Sequence, residues 1–130
     1  MINHVMVGTN DLNRAKAFYD AVLGVLGVGE PVRNVDGRGH IRLFYSHDGA
    51  TFGVTLPIDG QRATPGNGGT IAFKCNSLNQ VDAFHAAALA YGGSSIEPAP
   101  ILDTTTSGAV KAYVRDPDGN KLCAIHYPAN

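Results

Sequence analysis

A chain of 130 residues that is 44% hydrophobic and 16% charged suits one globular domain and excludes a disordered one. A formal net charge of −1, with Lys and Arg scattered, excludes a general nucleic-acid binder, which needs a basic face against phosphates. No apolar run approaches the roughly eighteen residues of a membrane span. The start, MINHVMVGTND, has no basic region followed by an apolar core, so a cytoplasmic protein is expected. Cys75 and Cys123 lack C-x-x-C spacing and are expected to be free, buried thiols.

Ile2 to Val7 reads as a strand, with Val5 and Val7 on one face and Ile2, His4 and Met6 on the other. Asn10 or Asp11 can cap the helix that follows. Its apolar stripe is Leu12, Ala15, Phe18, Val22 and Leu23, and Gly24 and Gly27 end it. Val32 to Val35 is a second strand, closed by a turn at Asp36-Gly37. Ile41, Leu43 and Tyr45 then alternate with Arg42, Phe44 and Ser46. Asp48-Gly49 precedes a strand from Thr51 to Leu56. Asp-Gly between alternating runs is a strong hairpin signal, because such turns need positive φ.

Pro57 to Gly69 is a Gly- and Pro-rich loop that links two halves. The second half opens on a strand at Thr70 to Cys75. Ser77 and Gln80 form an S-x-x-Q capping box before a helix with the stripe Val81, Phe84, Ala88 and Leu89. Gly92-Gly93 ends that helix. Ser94 to Glu97 reads as a short strand and Pro98 to Gly108 as a long loop, a candidate lid carrying Thr104, Thr105, Thr106 and Ser107. Val110 to Arg115 and Lys121 to Tyr127 are strands joined by Asp116-Pro117-Asp118-Gly119.

The halves match each other. Thr70 to Ala90 lies under His4 to Gly24 at a constant shift of 66 (70 − 4) without a gap. Seven of twenty-one positions are identical, among them Asn10/Asn76, Phe18/Phe84 and Ala21/Ala87, where composition alone gives about one or two. Two copies of strand, helix and three strands predict an α+β domain over 1–130. Module one covers about 1–57, the linker 58–69 and module two 70–130. Together they make a cupped mixed sheet with helices on its convex face.

The paired modules, the entry HVMVGTNDLNRAKAFYDAVLG and the ending YVRDPDGNKLCAIHYP resemble the vicinal oxygen chelate superfamily. That group contains glyoxalase I, extradiol dioxygenases and bleomycin-resistance proteins. The resemblance implies a divalent metal on the cup floor, held by His, Glu or Gln from four strands. Carried over by position, those ligands fall on His4, Gly53, Thr70 and Cys123. Only His4 is a usual ligand: Gly53 has no side chain and Thr70 only a neutral hydroxyl. The metal site reads as degraded, and no cofactor is expected.

The cup is expected to be lined by His4, Met6, Gly53, Thr55, Thr70, Ala72, Cys123 and Ile125, with Tyr113 or Tyr45 at the rim. Lys74 shares that strand face. His40 and His47 are candidate substitute ligands without supporting spacing. His85 and His126 read as surface residues, and the glycines of GVLGVG do not fit a nucleotide loop. Three functions follow as expectations. The first is metal-independent binding of a small organic molecule. The second is a metal-dependent lyase or dioxygenase with a divergent site. The third is a metal-free enzyme with His4 as general base. A homodimer is expected, because the edges of such sheets are covered across a two-fold axis.

Overall fold

A computed structural model describes residues 1–96, 101–103 and 108–128. In the first half, β1 (His4–Gly8) leads into α1 (Leu12–Val25), followed by β2 (Val32–Val35), β3 (Ile41–His47) and β4 (Ala50–Thr55). In the second, β5 (Ile71–Lys74) leads into α2 (Leu78–Ala90), then β6 (Ser94–Ser95), β7 (Ile101–Asp103), β8 (Ala109–Arg115) and β9 (Lys121–His126). The α+β architecture of two modules is the one expected. The hydrogen-bonded sheet is divided between the modules. One sheet has the order β1-β4-β3-β2, and the other β5-β9-β8-β6 with β7 also on β8. β1 runs parallel to β4, and β5 parallel to β9, at corresponding places in the two sheets.

β7 is a correction, since it lies inside the stretch expected to be loop. Its residues pair antiparallel with Ala109–Lys111, farther along the edge of β8 that Ser94 and Ser95 also occupy. A three-residue strand preceded by Pro98 and Pro100 has too short a pattern to be read locally. The candidate lid residues Thr104, Thr105, Thr106 and Ser107 lie outside the described residues.

Local chemistry sets the helix ends. Asp11, not Asn10, caps α1 by accepting from the Arg14 N–H at 3.0 Å. Ser77 caps α2, but Gln80 Oε1 reaches one residue further back than a regular capping box, to the Asn76 N–H at 2.7 Å. α1 runs through Gly24 and stops at Val25. The turn after β2 is longer than Asp36-Gly37: Asp36 Oδ1 accepts from the N–H groups of Arg38 and His40, and Gly39 takes the left-handed φ.

The core lies between the helices and one face of each sheet. Phe18, Tyr19 and Val22 of α1 and Val81, Phe84 and Ala88 of α2 meet Leu43, Phe52, Val54, Val114 and Leu122. An edge-to-face and tilted series of rings, Phe18–Tyr19–Phe52–Phe73–Phe84, crosses from one module to the other with centroids 4.8 to 5.8 Å apart. Each such pair adds about 0.5–1.5 kcal/mol beyond its burial. Leu89, expected in the buried stripe, is 46% exposed. At 100° per residue it stands about 140° around the helix from Phe84.

Tyr19 belongs to the core and was absent from the expected stripe. Its hydroxyl donates to the Asp116 carboxylate, 97 positions away. Burial, then the Asp116 charge, pushes its pKa well up; Tyr45 is raised by burial and by Asp20. A phenol raised in the folded state keeps its contribution below the unfolded pKa of about 10 and loses it as pH rises further. Unfolding free energy is therefore expected to fall above about pH 10, by roughly 1.4 kcal/mol per pH unit for Tyr19. Chemical denaturation of Tyr19→Phe across pH 9 to 11 (about one unit either side of the phenol value) should show a flatter decline. An unchanged slope would refute the assignment.

Candidate functional site

The faces turned away from the helices follow from strand alternation. Leu43, Phe52 and Val54 are core, so their neighbours point the other way. On the first sheet this open face carries His4, Met6, Gly53 and Thr55, with Met6 opposite Gly53 and Gly8 opposite Thr55. On the second it carries Ala72 opposite Cys123, Tyr113 on the other side of Cys123, and Lys74 opposite Ile125. Thr70 is exposed just before β5. The nine expected ligand-binding residues thus fall into two groups, one per sheet. Tyr45 is not at the rim: it is buried on the helix side, and its hydroxyl donates to Asp20 at 2.7 Å.

Gly53 sits beneath two side chains. A Cβ built there would lie 3.0 Å from both Cε and Cγ of Met6 and 3.2 Å from Cε1 of Phe44. Phe44 in turn lies under the Arg42 guanidinium, 5.3 Å from ring centre, and Arg42 donates to Asn34 Oδ1. His4 is exposed, with Nδ1 2.8 Å from Asn3 Oδ1. His40 lies 3.3 Å from the Asp36 carboxylate and His47 3.4 Å from that of Asp48, each beside its own loop. Among the described residues no three His, Cys, Asp or Glu side chains converge as a metal-holding group. His85 Nε2 meets Ser95 Oγ at 2.9 Å, and His126 Nδ1 meets the Cys75 carbonyl at 3.1 Å.

Cys123 is buried, and its thiol donates to the Ala124 carbonyl at 3.6 Å. Burial raises its pKa against the opposing pull of Lys111, Tyr113 and Lys121. Cys75 is pushed up to about 11, again chiefly by burial. Both thiols are free. Neither is a thiolate at neutral pH, so neither is an activated nucleophile. Ellman's reagent should titrate no thiol in the native protein at pH 7 and both on unfolding; fast native reaction of one thiol would contradict the packing.

Residues missed from the sequence are cationic and aromatic. Arg42 and Phe44 share the open face of the first sheet, while Lys111, Arg115 and Lys121 share that of the second. Lys121 Nζ stands 4.9 Å from the Tyr113 ring centre. Among the described residues, β7 apart, no strand contains Asp or Glu. The alternation Arg42/Phe44 against Leu43/Tyr45 was available as a signal.

A separate cavity of about 380 Å³ lies where the modules meet, lined by parts of β3, β4 and β5 and by residues following α1. Of the nine expected ligand-binding residues only Ala72 touches it.

This geometry matches known proteins. Residues 1–124 match the Glyoxalase/Bleomycin resistance protein/Dioxygenase superfamily. The chain belongs to that superfamily. A crystal structure of a glyoxalase/bleomycin resistance protein from Albidiferax ferrireducens is 51% identical with a TM-score of 0.89, over 98% of this chain and 99% of that one. A glyoxalase-related enzyme from Fulvimarina pelagi is 24% identical with a TM-score of 0.74, over 98% and 88%. Lactoylglutathione lyase from Agrobacterium tumefaciens is 20% identical with a TM-score of 0.64, over 97% and 92%. The last two likenesses concern the fold alone. No curated protein matches. Among the described residues no helix is long and apolar enough to cross a membrane.

Proposed function

We propose that this protein binds a small organic anion on the open faces of its sheets without a metal ion. The observation that carries the reading is Gly53 beneath Met6 and Phe44. The resemblance puts a metal ligand at that position, and here two apolar side chains occupy the space such a ligand would enter. His4 and Cys123 supply one imidazole and one protonated thiol, and Thr70 an exposed hydroxyl. That donor set does not fit a divalent ion, which needs three or four converging N, O or thiolate donors. The cations Arg42, Lys111 and Lys121 favour an anionic group, and Met6, Phe44, Tyr113 and Ile125 an apolar body.

The experiment is a screen of small organic anions in EDTA, followed by ¹H–¹⁵N spectra. Saturable shifts at Met6, Gly53, Tyr113 and Cys123, unaltered by Mn²⁺ or Zn²⁺, are expected. Binding that appears only with a divalent ion, or turnover of the ligand, would overturn the reading.

The same reading treats 1–57 and 70–130 as descendants of one module, because the 66-residue shift superposes the helix residues Phe18 and Phe84, both core. It also includes a homodimer. Sedimentation at tens of micromolar (about the range where an ordinary dimer persists) should give twice the chain mass, and a monomer would remove that part.

A further inference from the structure

The modules meet at two junctions whose strand-to-helix entries, one from each module, are related by the 66-residue shift. At the first, the end of β1 meets the turn between β8 and β9. Asp118 accepts there from Thr9 Oγ1 at 2.6 Å, the Asn10 N–H at 3.0 Å and Arg14 Nη2 at 2.9 Å. The Asn10 amide is held by the Ala63 N–H and carbonyl at 2.7 and 3.0 Å. At the second, the end of β5 meets the turn between β3 and β4. The shift brings Cys75, Asn76 and Gln80 to the places of Thr9, Asn10 and Arg14. No carboxylate enters from the facing turn, where the Asp48 side chain is 90% exposed beside His47. The cavity of about 380 Å³ lies at this second junction.

Its walls include Leu26, Val28, Tyr45, Phe52 and Phe73, and its polar lining includes Lys74 and Asn76. Among the described residues neither the Lys74 ammonium nor the Asn76 side-chain amide has a partner. Both are donors, on residues two apart at the end of β5. An ammonium and an amide N–H beside an aromatic-lined hollow suit a carboxylate with an apolar tail. We propose that the seam cavity is a second ligand site, taking a small amphiphile with an aromatic or branched apolar body and a single carboxylate. Lys74 Nζ and Asn76 Nδ2 hold the carboxylate, while the Asn76 N–H stays with Gln80 Oε1 at 2.7 Å. The site is independent of the reading for the open sheet faces.

The test uses 4-phenylbutanoate and the neutral 4-phenylbutan-1-ol with the full chain, read by ¹H–¹⁵N spectra. Saturable shifts are expected at Thr51, Phe73, Lys74, Asn76 and Gln80. Lys74→Met, a change at an exposed side chain, should weaken the carboxylate roughly tenfold and the alcohol less than about twofold. Ala50→Trp, at the exposed start of β4 on the cavity wall, should abolish the shifts of both probes. No saturable shift up to about 5 mM, or equal loss of both probes in Lys74→Met, would overturn the proposal. Shifts confined to Met6, Gly53 and Cys123 would overturn it while leaving the open-face reading intact.

Discussion

Asp116→Ala is expected to lower the unfolding free energy by about 3–5 kcal/mol, measured by urea denaturation at pH 7. Asp116 is 4% exposed and accepts four hydrogen bonds. The Asn120 and Asp118 N–H groups reach Oδ1 at 2.9 Å each, Asn120 Nδ2 reaches Oδ2 at 2.8 Å, and the Tyr19 hydroxyl completes the set. Alanine strands these donors where water does not replace the acceptor, and each buried orphan costs about 1–3 kcal/mol. The carboxylate also joins the modules, since Tyr19 comes from α1 and the other donors from the turn before β9. Asp116→Asn keeps an acceptor and should lose clearly less. A loss below about 1 kcal/mol for the alanine variant would be that of an ordinary surface change and would contradict the network.

Gly93→Ala is expected to cost about 2–3 kcal/mol. A Cβ at Gly93 would stand 2.7 Å from the Arg115 carbonyl, 2.7 Å from Phe18 Cε2 and 2.8 Å from the Ala88 carbonyl. Two of these atoms are backbone and the third is a buried ring, so no flexible end can give way. The neighbouring Gly92, with φ +97°, makes the turn out of α2, and the Gly93 N–H then bonds Ala88 O at 2.8 Å. Gly37→Ala is the control: nothing lies within 4 Å of its added methyl, and its φ is not positive. Equal stabilities for the two variants would show that the chain does not pass this close to α1.

Sequence pattern carried most of the architecture because its signals are local. The alternation from Ile41 to Tyr45, the Ser77 cap and the turn at Asp116 to Gly119 each need only a few neighbouring residues to be recognised. Tyr19 was missed because its burial depends on a carboxylate in the other module. Leu89 was misplaced because a short helix with mixed small residues has a broad apolar side, and packing chose Val81, Phe84 and Ala88. Tyr45 was put at the rim although it shares the parity of Leu43, which faces the core. On the open faces, alternation was sufficient to place His4, Met6, Gly53 and Cys123. What it could not convey is that Met6 and Phe44 close over Gly53, which depends on the register between three strands. The seam cavity was invisible for the same reason. It is lined by parts of β3 and β4 and by part of β5, which is far from them in the chain.

The central claim is that this member of the superfamily works without a metal. Elemental analysis of untagged protein, after incubation with Ni²⁺, Zn²⁺, Mn²⁺ or Fe²⁺ and gel filtration, tests it most directly. The expected result is less than about 0.1 ion per chain with every metal, and no thermal stabilisation. Retention of about one ion per chain, lost on replacing His4 by Ala, would contradict it and make His4 the anchor of a metal centre.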